Sequence, residues 1–63
     1  MKVRAILRRL RNDGWRLLRT EGSHHHFEHP TKPGLVTVAY DQEGDDIGGG
    51  TLNSIFKQAG WKR

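Results

Sequence analysis

Cysteine is missing from this chain, so no disulfide can staple it and no thiolate can hold a metal cluster. The same absence fits a reducing, cytoplasmic setting. Long apolar runs are missing too. No stretch approaches the length of a membrane span, and Met1-Lys2-Val3-Arg4 leads into a charged amphipathic pattern rather than the apolar core of a signal peptide. Acidic residues are scarce at the start: before Thr20, only Asp13 opposes seven of the eleven lysines and arginines. Repeats, linkers and low-complexity segments are also absent, so the reading is one domain over residues 1–63.

What is present is short and basic. A chain of 63 residues buries only about 60% of the surface its unfolded form exposes, so its core is marginal. Help from a partner chain or self-association is expected. The net charge is +4, with the acids gathered in Asp41, Glu43, Asp45 and Asp46. That separation should make one end of the molecule attract polyanions, of which phosphate backbones are the usual ones.

Periodicity lays out the elements. Val3, Ile6, Leu7 and Leu10 make one apolar stripe of a helix over residues 2–12, ended by Asp13-Gly14. Arg4, Arg8 and Arg11 form a basic stripe beside it. Residues 15–21 read as a strand in which Leu18 breaks the alternation, leaving its buried face open. Glu21-Gly22-Ser23 is a turn, and residues 24–29 are a second strand. A period of two puts His24, His26 and Glu28 on one face, opposite Phe27. Pro30 to Gly34 is a turn, residues 35–40 a β-branched third strand, and residues 41–50 a polar, glycine-rich loop expected to be flexible. Leu52, Ile55, Phe56 and Ala59 mark a second helix over residues 51–59, with Thr51 at its start and Gly60 as terminator. The order α-β-β-β-α predicts an α+β fold: a three-stranded antiparallel sheet with both helices on one face and His24 on the other.

The histidines carry the chemistry. Imidazole titrates near neutral pH without help. His24 as a general acid or base suits RNA cleavage, because the ribose 2′-hydroxyl is a built-in nucleophile and no metal is required. Adjacent histidines on a strand point to opposite faces, and His24 with His26 supplies too few metal ligands without a carboxylate such as Glu28, so neither metal nor cofactor is expected. Arg4, Arg8 and Arg11, extended by Arg16, Arg19 and Lys32, are candidates for holding RNA phosphates. A solubilising face is the plainer alternative. His26, Tyr40, Lys32 and an arginine remain open as the group that completes the chemistry with His24. Gly48-Gly49-Gly50-Thr51 lacks the ending of a nucleotide-binding loop.

The chain resembles the HicA family, toxins of the HicBA toxin–antitoxin systems described as mRNA interferases. The resemblance rests on Ile6-Leu7, Gly14-Trp15, Gly22-Ser23-His24-His25-His26-Phe27, His29-Pro30, Lys32-Pro33-Gly34, Val36-Thr37-Val38 and the helix from Gly50-Thr51-Leu52 to Gln58-Ala59-Gly60. It implies a double-stranded-RNA-binding-domain-like fold and an endoribonuclease that cuts mRNA and arrests translation. It also implies a catalytic histidine at His24 and a HicB-type antitoxin that blocks the active surface. The chain departs from the family where Ala39-Tyr40 replaces a frequent Pro and His, which removes a possible second histidine, and where Ile47-Gly48-Gly49 stands near a frequent proline. A non-catalytic RNA-binding module and an antitoxin-docking protein of the same fold are the alternatives.

Overall fold

The computed structural model describes residues 1–62. Helix α1 (Val3–Asp13) leads into strands β1 (Arg16–Glu21), β2 (His24–Glu28) and β3 (Val36–Ala39), and helix α2 (Gly49–Ala59) closes the order. The strands form an antiparallel meander, β1-β2-β3. The element order, sheet and helix placement agree with the sequence expectation.

Why the helices share one face follows from the registers. His25 lies opposite Val38 and Phe27 opposite Val36, so these four positions line one side of the sheet. Phe27, Val36 and Val38 join Val3, Ile6 and Leu10 of α1 and Leu52, Ile55, Phe56 and Ala59 of α2 in one core. Each fully buried aliphatic side chain contributes roughly 1.5–3 kcal/mol. Molecular extents of 29 × 27 × 18 Å match one helix layer on one sheet, because a helix is about 10 Å thick. Among the described residues, no helix covers the other sheet face.

Strand β1 explains its broken alternation. Leu17 pairs with Phe27 and Arg19 with His26, so Leu18 is the extra residue of a bulge. The bulge turns Leu17 to the helix side and Arg19 to the open side. An unbulged strand would have put both on one face.

Two expectations are corrected. Helix α2 begins at Gly49, with Gly48 as its cap, rather than at Thr51. Glycine is tolerated there because the first helical amides have no intrahelical partner anyway. The segment between β3 and α2 is not a loose loop. Ile47 is buried in the core, its amide donates to the Met1 carbonyl, and Lys2 bridges Asp46. The amides of Val3 and Arg4 donate to the carbonyls of Asp45 and Glu43 at 2.8 and 3.0 Å. This segment therefore caps α1, whose Lys2 cap position makes no side-chain capping hydrogen bond to the helix.

Candidate active site

The open sheet face is assembled by a two-residue turn. Gly22 adopts φ of 60°, the left-handed value that a tight hairpin requires. Only Gly22 and Ser23 separate β1 from β2, so Glu21 and His24 become direct cross-strand partners. Behind them lie Arg19 opposite His26, then Arg16 opposite Glu28. Strand β3 adds Ala39 beside His24 and Thr37 beside His26.

His24 is exposed, and its ring takes no hydrogen bond from the described residues. The other histidines are all engaged. His26 donates from Nε2 to Glu21 Oε1 at 2.8 Å, and its Nδ1 meets the Thr37 hydroxyl at 2.9 Å. His25 lies on the helix side, donating from Nδ1 to the Val38 carbonyl at 3.2 Å and stacking on Tyr40 at 3.8 Å. His29 donates from Nε2 to the Asp13 carbonyl at 2.6 Å, while its Nδ1 accepts the amides of Thr31 and Lys32 at 3.1 Å. Those two amides require a lone pair on Nδ1, which fixes the tautomer of His29.

The basic residues divide by face. Arg16 and Arg19 share the face of His24, where their Nε atoms lie 3.5 Å from Glu28 and 3.7 Å from Glu21. Exposed pairs of this kind are worth about 0–1 kcal/mol, so a phosphate can displace either carboxylate at small cost. Arg4, Arg8 and Arg11 ride on α1, on the far side of the sheet. Arg4 leans over Gly44 of the acidic segment. Arg11 lines a groove of about 330 Å³ with Leu7, Leu17, Phe27 and Tyr40, and Arg16 at its rim joins this groove to the open face around the β1 edge.

Lys32 is spoken for elsewhere. Its Nζ donates to Asp13 Oδ2 at 2.7 Å and to the Ala59 carbonyl at 3.2 Å. The indoles of Trp15 and Trp61 donate to the same carboxylate oxygen at 2.9 and 3.0 Å. Lys32 above all, then Trp61, hold the Asp13 carboxyl down at about 2. Lys32 is thus a structural clamp on the helix side rather than a free cation beside His24. Tyr40 is also on that side, and burial followed by the Glu43 charge pushes its hydroxyl up. Of the groups left open by the sequence, only His26 and an arginine share the face of His24.

Glu21 was missed by sequence reasoning. The signal was its place immediately before a two-residue turn, which sets it opposite His24. Among the described residues, no group of three or more histidines and carboxylates is gathered to hold a metal ion. No helix among them is long and apolar enough to cross a membrane. No curated protein matches the chain. A family model described as "HicA toxin of bacterial toxin-antitoxin" matches residues 3–61.

Proposed function

From the membership of this chain in the HicA toxin family, we propose that it is a metal-independent endoribonuclease that cuts mRNA in the cytoplasm and arrests translation. The observation that carries this reading is the exposed, unengaged imidazole of His24 on the helix-free sheet face, with Arg16 and Arg19 on the same face.

The chemistry uses the substrate's own nucleophile. A base takes the proton of the ribose 2′-hydroxyl, and the 2′-oxygen attacks phosphorus. The bond from phosphorus to the 5′-oxygen breaks as an acid protonates that oxygen. The products are a 2′,3′-cyclic phosphate and a 5′-hydroxyl. His24 is one of the two proton-transfer groups, and a positioned group of this kind contributes roughly 100- to 10,000-fold. Arg19 and Arg16 hold the phosphate and offset the charge that builds on it. Arg11 and Arg8 extend the track around the β1 edge, giving affinity without sequence reading. A HicB-type antitoxin neutralises the toxin by covering the His24 face.

The test compares wild type with His24→Ala on a single-stranded RNA in EDTA, both proteins shown to be folded. An all-2′-deoxy strand of the same sequence is the control. Cleavage of RNA alone, by wild type alone, is the expected result. Equal cleavage by both proteins rules out the His24 assignment. No cleavage by either moves the function to RNA binding or antitoxin docking.

A further inference from the structure

We propose that Glu21 is the general base that works with His24, and that His26 is its positioning residue. The proposal rests on the ribonuclease reading above, and names the second proton-transfer group which that reading requires.

Cutting RNA by its own 2′-hydroxyl needs an acceptor for one proton and a donor of another. A carboxylate is the ready acceptor at neutral pH, and a protonated imidazole is a ready donor. Glu21 and His24 supply that combination at one place. They are cross-strand partners at the turn, where directly opposed Cβ atoms lie about 4.5–5.5 Å apart. In the reaction, Glu21 takes the 2′-hydroxyl proton as the new O–P bond forms. The His24 imidazolium gives its proton to the 5′-oxygen as the old bond breaks. Glu21 ends protonated and His24 neutral, and exchange with water restores both.

The carboxylate is not left to wander. His26 Nε2 holds Oε1 at 2.8 Å, and Arg19 Nε lies 3.7 Å from Oε2. A carboxylate offers about four lone-pair sites, so these partners leave room for a substrate hydroxyl. His26 is itself braced by the Thr37 hydroxyl at 2.9 Å. A hydroxyl both donates and accepts. Neutral His26 accepts the Thr37 proton at Nδ1, and charged His26 donates to the Thr37 oxygen. The brace therefore survives either protonation state of His26, whereas the tautomer of His29 is fixed by two backbone amides. The charged or titratable groups facing Glu21 are Arg19 on its own strand and His24 and His26 on β2. Strand β3 contributes Thr37 and Ala39, neither of which titrates near neutrality. The helices pack on the opposite face.

The experiment is a set of single-turnover pH–rate profiles on single-stranded RNA. It uses the whole chain as wild type, His24→Ala, Glu21→Gln, His26→Ala and His26→Gln, each checked by circular dichroism. Wild type is expected to give a bell. Glu21→Gln is expected to lose the acid limb and on the order of 100-fold or more in rate, with KM held or lowered because a negative charge near RNA is gone. His26→Ala should lower kcat at constant KM. His26→Gln, whose amide can still donate to Glu21, should recover most of that loss. A purely structural Glu21 would change thermal stability and leave the acid limb in place. If Glu21→Gln keeps the wild-type rate and limb while His24→Ala is inactive, the Glu21 proposal falls and the ribonuclease reading stands. If wild type does not cleave, or His24→Ala cleaves equally, both fall.

Discussion

The Asp13 carboxylate takes three donors on one oxygen, from Lys32, Trp15 and Trp61. It thereby joins the end of α1, the start of β1, the β2–β3 connection and the stretch after α2. Asp13→Ala strands two indole N–H groups and leaves the Lys32 ammonium with the Ala59 carbonyl but no counter-charge, and a loss of about 2–3 kcal/mol in urea denaturation is expected. The pH dependence has a definite sign. In the fold this carboxyl lies at about 2, below its ordinary 3.8. Its contribution is complete above about pH 4 and disappears as pH falls through about 2. Wild type should therefore lose stability across that acid window, and Asp13→Ala should lose less. Equal acid lability of the two would remove Asp13 from this role. The contacts with Lys32 and Trp61 were not legible in the sequence, where Lys32 reads as a candidate phosphate contact, because those two partners lie far from Asp13 along the chain. His24 was legible because a strand's period of two assigns its face from Phe27 alone. Glu21 needed the exact turn length, which the Glu21-Gly22-Ser23 pattern does not specify to one residue.

Between α1 and β1, one glycine sets the angle at which helix becomes sheet. Gly14 takes φ of 101°, and a Cβ there would stand 2.9 Å from His29 Nε2. Gly14→Ala is expected to cost about 1–3 kcal/mol, from backbone strain together with displacement of His29. Denaturation midpoints measure it, and a change under about 0.5 kcal/mol would contradict this account. The Ile47 anchor offers a second test. Ile47→Ala removes a buried side chain from the segment that caps α1, and an expected loss of about 2–4 kcal/mol should come with lower helix content by circular dichroism. Both helices were legible because their apolar positions repeat at 3.6 residues over several turns. The bulge in β1 was visible only as a fault in the alternation at Leu18, since pairing registers are tertiary. The structured course of residues 41–48 was hidden for a different reason. A lone isoleucine among acids and glycines has no period, and its burial is decided by α1.

At the scale of the molecule, the acids do not sit at an end opposite to the base-rich helix. Residues 43–46 fold back onto the start of α1, where Lys2 meets Asp46 at 3.3 Å and Arg4 leans over Gly44. Arg9 is also occupied, its guanidinium 4.8 and 4.5 Å from the ring centres of Phe56 and Trp61. On the later half of α1, Arg8 and Arg11 make no such contact among the described residues, and on β1 Arg16 and Arg19 hold only exposed pairs with Glu28 and Glu21 that a phosphate can replace. RNA affinity measured against salt should reflect this. Arg16→Gln and Arg19→Gln should each flatten the log–log slope by about 0.7, the contribution of one phosphate on a single strand, and Arg4→Gln should leave it unchanged. A large effect of Arg4 with none from Arg16 and Arg19 would place the RNA on the helix side instead. The cap that the later segment places on α1 also has a meaning in time. The carbonyls of Glu43 and Asp45 that close the first turn of α1, and the α2 side chains that cover its stripe, all lie far along the chain from that helix. The closing of this long loop, rather than the winding of the helix, therefore paces folding.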